Sequence, residues 1–227
     1  MGRKGVIAAA LLLLLGGVVV WTSANKTTKV TTVDDLPWQI TVDAQGQTEV
    51  LRLRPGETRL RAYIEQLQHF PELGIFAHRD GEPRLEAYFG KRRLGVLEAR
   101  LVVELAASPE QLAKFMAESP ERKAQPSGAW RYALSEAALA ESNDLSIRYL
   151  IYLPVADYDA ELLRQRFGDA PEQLMLTEGA AYWFYPQRGV AILLRAGGGD
   201  IFYYSAVSAF PALRQRLIDE TQSGVPK

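Results

Sequence analysis

The chain carries two histidines, His69 and His78, and no cysteine. Neither histidine belongs to an acid–base or metal arrangement such as His-Glu-x-x-His, so both read as surface or loop residues. The lack of cysteine removes disulfides, thiolate catalysis, zinc–cysteine sites and, at the N-terminus, lipoprotein acylation. Ser23-Ala-Asn-Lys26 has the Ser-x-x-Lys spacing of an acyl-transferring serine, but Ser142-Asn143-Asp144 does not match the companion Ser-Asp-Asn element. Gly-x-Ser-x-Gly is absent as well. Gly197-Gly198-Gly199 is followed by neither Lys-Ser/Thr nor a helix start, which makes it a turn and not a phosphate loop. Asp34-Asp35 reads as a solvated tether. Asp157 and Asp159 read as a helix start favoured by the dipole, with calcium binding the minor alternative. No catalytic, cofactor-binding or metal-ligating residue is expected, and the expected class is non-enzymatic.

The aromatic residues are the remaining candidates. Tyr182, Trp183, Phe184 and Tyr185 lie close in sequence to Phe202, Tyr203 and Tyr204. On strands, alternate members point to opposite faces, so one set fills a core and the other faces outward. Pro186 marks a strand end or edge, and on that ground Trp183 and Tyr185 are the expected outward pair and docking surface for a protein partner. The competing reading is a sheet face covered by the terminal helix.

These residues need a scaffold, and the composition allows one. Of the 227 residues 48% are hydrophobic and 23% charged, with a formal net charge of −1. The longest basic run is Lys91-Arg92-Arg93, too little for a nucleic-acid-binding stripe. Alternation in Trp38–Val42 and Val50–Leu53 around Asp43–Gly46 predicts a hairpin. Leu60, Ile64 and Leu67 recur at helical spacing. Strands are expected at Gly74–Ala77, Leu85–Phe89 and, as the longest, Leu94–Leu105. Ser108-Pro109-Glu110-Gln111 is a capping box with proline in the first turn, and its helix stops before Pro120. The stretch from Glu121 to Gly128 reads as an exposed loop. Trp130–Tyr132 is the next strand, Ser135 caps a short helix through Ala140, and Ile147–Leu153 is a buried strand. A helix begins at Asp157 or Asp159, carries Leu162, Leu163 and Phe167, and stops at Gly168. Tyr182–Tyr185, Val190–Leu194 and Ile201–Tyr204 form an antiparallel meander, closed by a helix over Ala209–Glu220.

The N-terminus supplies the address. Arg3 and Lys4 precede an uncharged stretch from Gly5 to Trp21 centred on Leu11, Leu12, Leu13, Leu14 and Leu15. As a helix it rises about 25 Å, short for a span but within reach of a thin bilayer. Trp21 suits the headgroup level, and Arg3 and Lys4 keep the N-terminus cytoplasmic by the positive-inside rule. Residues 1–24 are therefore expected to be an inner-membrane anchor. A cleaved signal peptide is the alternative, with Thr22-Ser23-Ala24 a mediocre site. Both place the rest outside the cytoplasm. Residues 25–36 read as a polar tether, residues 37–221 as a periplasmic α+β domain, and residues 222–227 as a tail.

The two parts of that domain, about 37–134 and 135–221, resemble each other. Leu60–Ile64 leads through a Gly/Pro break to Glu86-Ala-Tyr88-Phe89-Gly-Lys91-Arg92-Arg93-Leu94-Gly95-Val96. Leu162–Phe167 leads through Gly168 and Pro171 to Tyr182-Trp183-Phe184-Tyr185-Pro186-Gln187-Arg188-Gly189-Val190. Each reads as a helix followed by an antiparallel meander, over roughly 40 residues. The second copy resembles the small outer-membrane lipoproteins of the barrel-assembly machine, through Phe167-Gly168, Pro171, Trp183–Pro186 and Gly189-Val190. That family packs a helix pair on a three-stranded antiparallel sheet, and the resemblance implies a protein-binding or assembly role. The chain departs from it in lacking the lipidation cysteine, in carrying two copies and in having an anchor. As a whole it is similar to single-span envelope proteins of Gram-negative bacteria. The expected function is an anchored accessory or scaffold protein that binds another envelope protein or membrane complex, with no nucleic acid and no cofactor. A periplasmic module for a small ligand or lipid is the second reading, and an enzyme the third.

Overall fold

Period-two alternation through the middle of the chain builds one wide sheet. The computed structural model describes residues 35–78, 81–176 and 179–222. Arg3, Lys4, Leu11–Leu15, Trp21, the tether up to Asp34 and the last five residues lie outside the described residues. Among the described residues no helix is long and apolar enough to cross a membrane. A two-residue pair, β1 (Thr41–Val42) with β2 (Thr48–Glu49), is all that forms of the expected first hairpin. Leu51 and Arg52 adopt positive φ between Val50 and Leu53, which turns the chain where a strand would continue.

Ten strands follow: β3 (Glu72–Ala77), β4 (Arg84–Leu94), β5 (Leu97–Leu105), β6 (Arg122–Ala124), β7 (Trp130–Tyr132), β8 (Ile147–Pro154), β9 (Glu172–Met175), β10 (Ala181–Tyr185), β11 (Val190–Leu194) and β12 (Ile201–Tyr204). They form one antiparallel sheet in the order β6-β7-β3-β4-β5-β8-β12-β11-β10-β9. The five strands before residue 134 occupy one end and the five after it the other, joined where β5 pairs with β8. The longest strand is β4, not the expected Leu94–Leu105, because Gly95 at φ 58° turns the chain between β4 and β5. The expected loop 121–128 contains β6, an edge strand paired to β7.

Five α-helices accompany the sheet among the described residues: α1 (Leu60–Leu67), α2 (Pro109–Ala117), α3 (Glu136–Ser142), α4 (Ala160–Phe167) and α5 (Phe210–Gln222). Their starts are chemically specified. Ser108 Oγ accepts from the Gln111 N–H at 3.2 Å while Gln111 Oε1 accepts from the Ser108 N–H at 2.9 Å, a full capping box. Ser135 caps α3 through the Ala138 N–H, and Asp159, not Asp157, caps α4 through the Leu162 N–H at 2.6 Å.

The helices divide unequally between the two sheet faces. Leu60 and Tyr63 of α1, Phe115 of α2, Ala138 of α3, and Leu163 and Phe167 of α4 pack into one core with Leu85, Phe89, Leu101, Val103 and Tyr152 of the sheet. On the opposite face α5 is the one helix among the described residues. Its Phe210, Leu213 and Leu217 bury Tyr149, Tyr182, Phe184, Leu193 and Tyr203 in a second core.

The alternation expected in β10 is present, but both sets are inside. Tyr182 and Phe184 lie under α5, whereas Trp183 and Tyr185 lie under α4 and are 3% and 4% exposed. The expectation of an outward Trp183–Tyr185 pair is therefore corrected. The Arg164 guanidinium covers the Trp183 ring at 5.2 Å, Phe167 packs on the Tyr185 ring at 5.7 Å, and the Tyr185 hydroxyl donates to the Gly168 carbonyl at 3.0 Å. Pro186 does end the strand, in a short 3-10 turn closed by Gly189, whose place no side chain could take because a Cβ would lie 2.1 Å from the Ser205 carbonyl oxygen. Because both faces of β10 are covered, Trp183→Ala and Phe184→Ala should each cost about 3–5 kcal/mol of stability, read by urea unfolding. A near-native midpoint for Trp183→Ala would show that α4 does not seal that face.

Candidate functional site

The sheet face that carries α5 is covered over only part of its width. Phe210, near the start of α5, meets Phe184 of β10, and its far end reaches β4 through Glu220. Ion pairs hold the helix on both sides. Arg214 donates to Glu172 of β9 at 2.9 and 3.0 Å and lies over the Phe184 ring. Arg216 donates to Glu104 of β5 at 2.6 Å and lies 4.7 Å over the Tyr149 ring, and Arg84 of β4 donates to Glu220 at 2.6 Å. Beyond those anchors no helix lies on this face of β3, β4, β6 and β7 among the described residues. The register puts Phe76, Tyr88 and Val102 there, with Tyr88 40% exposed.

Where α5 ends, a cleft of about 580 Å³ opens between it, the sheet and the segment around His78 and Gly81. Four of its lining residues, Arg84, Glu104, Arg216 and Glu220, form a cluster with Glu86 beside the cleft. Glu86 and Glu104 stand directly opposite across β4 and β5 on the same face, and Glu220 joins them from α5. Arg84 and Arg216 are the guanidinium groups among them: Arg84 Nε is 3.9 Å from Glu86, and Arg216 Nε is 3.7 Å from Glu220. Three carboxylates thus share two guanidinium groups in a desolvated place, and like charges directly opposite on a sheet repel. Burial pushes the Glu86 carboxyl up to about 7; Arg84 pulls it down, Glu104 pushes it up, Arg216 pulls it down and Glu220 pushes it up. The cluster therefore holds a proton near neutral pH. It can bind a proton, fix a helix and attract a cationic side chain. No group of three or more metal-ligating side chains exists among the described residues.

The other residues singled out in the sequence are dispersed. His69 follows α1, and His78 lines the cleft without belonging to the cluster. Asp157 lies near the Gly198 backbone, and buried Asp200 accepts from the Tyr158 and Arg195 N–H groups, so this acidic region is spent on fastening the Gly197–Gly199 turn. Sequence reading missed Tyr88, Val102 and the Glu86–Glu104–Glu220 cluster, although two signals were present. In Arg84–Ala87 charged and apolar residues alternate, the pattern of a strand with one face outside the core. Glu104 sits in the apolar run Leu101-Val102-Val103-Glu104-Leu105, where a lone charge calls for a partner.

No protein-family model, curated protein or solved structure matches the chain.

The Glu86 carboxyl fixes a pH dependence. Its folded pKa lies above its ordinary value of 4.5, so its favourable contribution is complete below 4.5 and is lost as pH rises through about 7. Glu86→Gln, which keeps the neutral shape, should raise stability at pH 8 by on the order of 1–2 kcal/mol and change it little at pH 4.5. Thermal melts of both proteins from pH 4.5 to 8 measure this. Equal stability of the two proteins at pH 8 would contradict the buried placement of Glu86.

Proposed function

We infer that this chain is a non-catalytic accessory or scaffold protein of the bacterial envelope, held in the inner membrane by residues 1–24 and bound through its periplasmic domain to another envelope protein. The observation that carries the reading is the uncovered part of the α5 face. A sheet face normally packs on another layer, and this one keeps Phe76, Tyr88 and Val102 beside exposed basic residues. Docking belongs on this face, in place of the Trp183–Tyr185 pair.

The address is argued from the apolar stretch between Arg3 and Trp21 and from the absence of cysteine, which suits a compartment where thiols oxidise. The domain is read as two related halves, each a helix followed by an antiparallel meander: α1 with β3-β4-β5, and α4 with β9-β10-β11-β12. The likeness of the second half to the small lipoproteins of the barrel-assembly machine supports an assembly role. In that reading the halves differ in one consequential way: the second ends in α5, which covers it, and the first has no counterpart on that face among the described residues.

A second reading, a binding module for a small ligand, has the cleft near the β5–β8 junction in its favour. Four of its lining residues, Arg84, Glu104, Arg216 and Glu220, are committed to ion pairs with one another, which leaves His78, Glu82 and Arg148 among the polar groups that could orient a ligand.

A photo-crosslinking residue at Tyr88 of the full-length protein, activated in intact cells, discriminates these. A discrete protein adduct in the inner-membrane fraction is the expected result. Absence of any adduct at Tyr88, or an adduct found only with cytosolic protein, would overturn the reading.

A further inference from the structure

The uncovered face has a depth and a charge that together specify its occupant. From β5 to the edge strand β6 it spans four strand spacings, about 19 Å, which accommodates a helix of about 10–12 Å diameter. The α5 helix stands on the same face beside it as a wall roughly one helix diameter high. A flat lipid surface resting on that wall would stay clear of Tyr88 and Val102. A helix lying beside α5 reaches them.

The charges on this face are unequal. Arg84, Lys91 and Arg93 of β4, Arg100 of β5 and Arg131 of β7 point to it, with Glu72, Glu86, Glu98 and Glu104 as the acidic residues of the same strands. Lys91 is taken by Glu98 at 2.6 Å. Glu86 and Glu104 are engaged by Arg84 and Arg216, and Arg93 stands directly opposite Glu98 and shares it with Lys91. Arg100 and Arg131 form no ion pair among the described residues, which leaves the positive charge in excess over the remaining carboxylate of Glu72. Arg131 also donates to the Leu73 carbonyl at 3.2 Å, so it is held in place, while Arg93 and Arg100 are exposed. Tyrosine and arginine around an apolar floor are the residue types that contribute most at the centre of protein interfaces.

We propose that this face binds an acidic amphipathic helix of a protein partner, laid beside α5 with its apolar stripe on Tyr88 and Val102 and its carboxylates on Arg93 and Arg100. The proposal rests on the docking role inferred above and adds the chemistry of the partner. The partner helix supplies for the first half the layer that α5 supplies for the second. Its carboxylates meet Arg100, which has no ion pair among the described residues, and Arg93, which shares Glu98 with Lys91, and a basic helix in the same place would meet them with repulsion.

The test uses the full-length protein in phosphatidylcholine nanodiscs and two fluorescent 18-residue helical peptides with one shared leucine stripe. One peptide carries glutamate at the remaining positions and the other lysine. Anisotropy should report binding of the glutamate peptide, weakened by salt, by about tenfold or more in the Arg93→Glu/Arg100→Glu double variant, and also in Tyr88→Glu. The lysine peptide should not bind. If both peptides bind, both are lost in Tyr88→Glu and the arginine variant is neutral, the docking face stands and its acidic preference is overturned. If neither peptide binds, or glutamate-peptide binding ignores Tyr88→Glu, the proposal fails. Loss of glutamate-peptide binding in phosphatidylglycerol nanodiscs would assign the basic residues to lipid and overturn it as well. Circular dichroism of each variant confirms that the fold is retained.

Discussion

The contact between Arg216 and Glu104 decides where α5 comes to rest on its sheet face. Glu104 is 3% exposed and sits on β5, next to the junction of the two groups of strands. A carboxylate at that depth is tolerable only with a cation against it, and removing one partner of such a pair typically costs about 3–5 kcal/mol. Arg216 meets the requirement while its guanidinium stacks on Tyr149. With that point fixed, the rest of α5 is constrained: its apolar residues fall on β8, β12, β11 and β10, and Arg214 reaches Glu172 at the edge. The sheet is nine strand spacings wide, about 43 Å, against a helix about 10–12 Å across. One helix cannot cover it, and the position set by Glu104 determines which part stays bare.

The same geometry explains why the end of α5 is held differently from its start. Phe210, Leu213 and Leu217 fasten the first two turns by apolar burial, the term that dominates folding. Toward its end the helix is held also by Arg216 on Glu104 and by Glu220 on Arg84, within a cluster where a third carboxylate, Glu86, competes for the same guanidinium groups. Charge pairs at the mouth of a cleft respond to protons and salt in a way that buried leucines do not. The helix end beside the bare face is therefore the part of α5 whose hold depends on conditions, and an occupant beside it would feel that dependence.

Much of the fold was legible in the sequence because the signals are local. Ser108 with Gln111, Ser135, Asp159 and Gly168 are helix boundaries written in backbone chemistry, and the structure places a cap at each. The β10–β11–β12 meander follows from strand periodicity, and its register keeps the expected alternation of Tyr182 and Phe184 against Trp183 and Tyr185. What failed is what depends on distant partners. Whether Trp183 and Tyr185 face water turns on α4 lying over them, and nothing within β10 encodes that. Glu104 and Arg216 are 112 residues apart, so the contact that organises the α5 face leaves only the trace of a charge in an apolar strand. The short β6 and β9 edges were missed for the same reason, since each is stabilised by the neighbour it pairs with.

The account stands or falls on whether the bare face is covered in the envelope. The chain has no cysteine, so a single Tyr88→Cys substitution gives a unique thiol on that face, and Leu193→Cys gives one under α5. The measurement is the rate of maleimide labelling of each variant, purified and in spheroplasts of the cells that make it. The account predicts that Tyr88→Cys reacts quickly when purified and slowly in spheroplasts, with Leu193→Cys slow in both. Equally fast labelling of Tyr88→Cys in spheroplasts and in purified protein would contradict it.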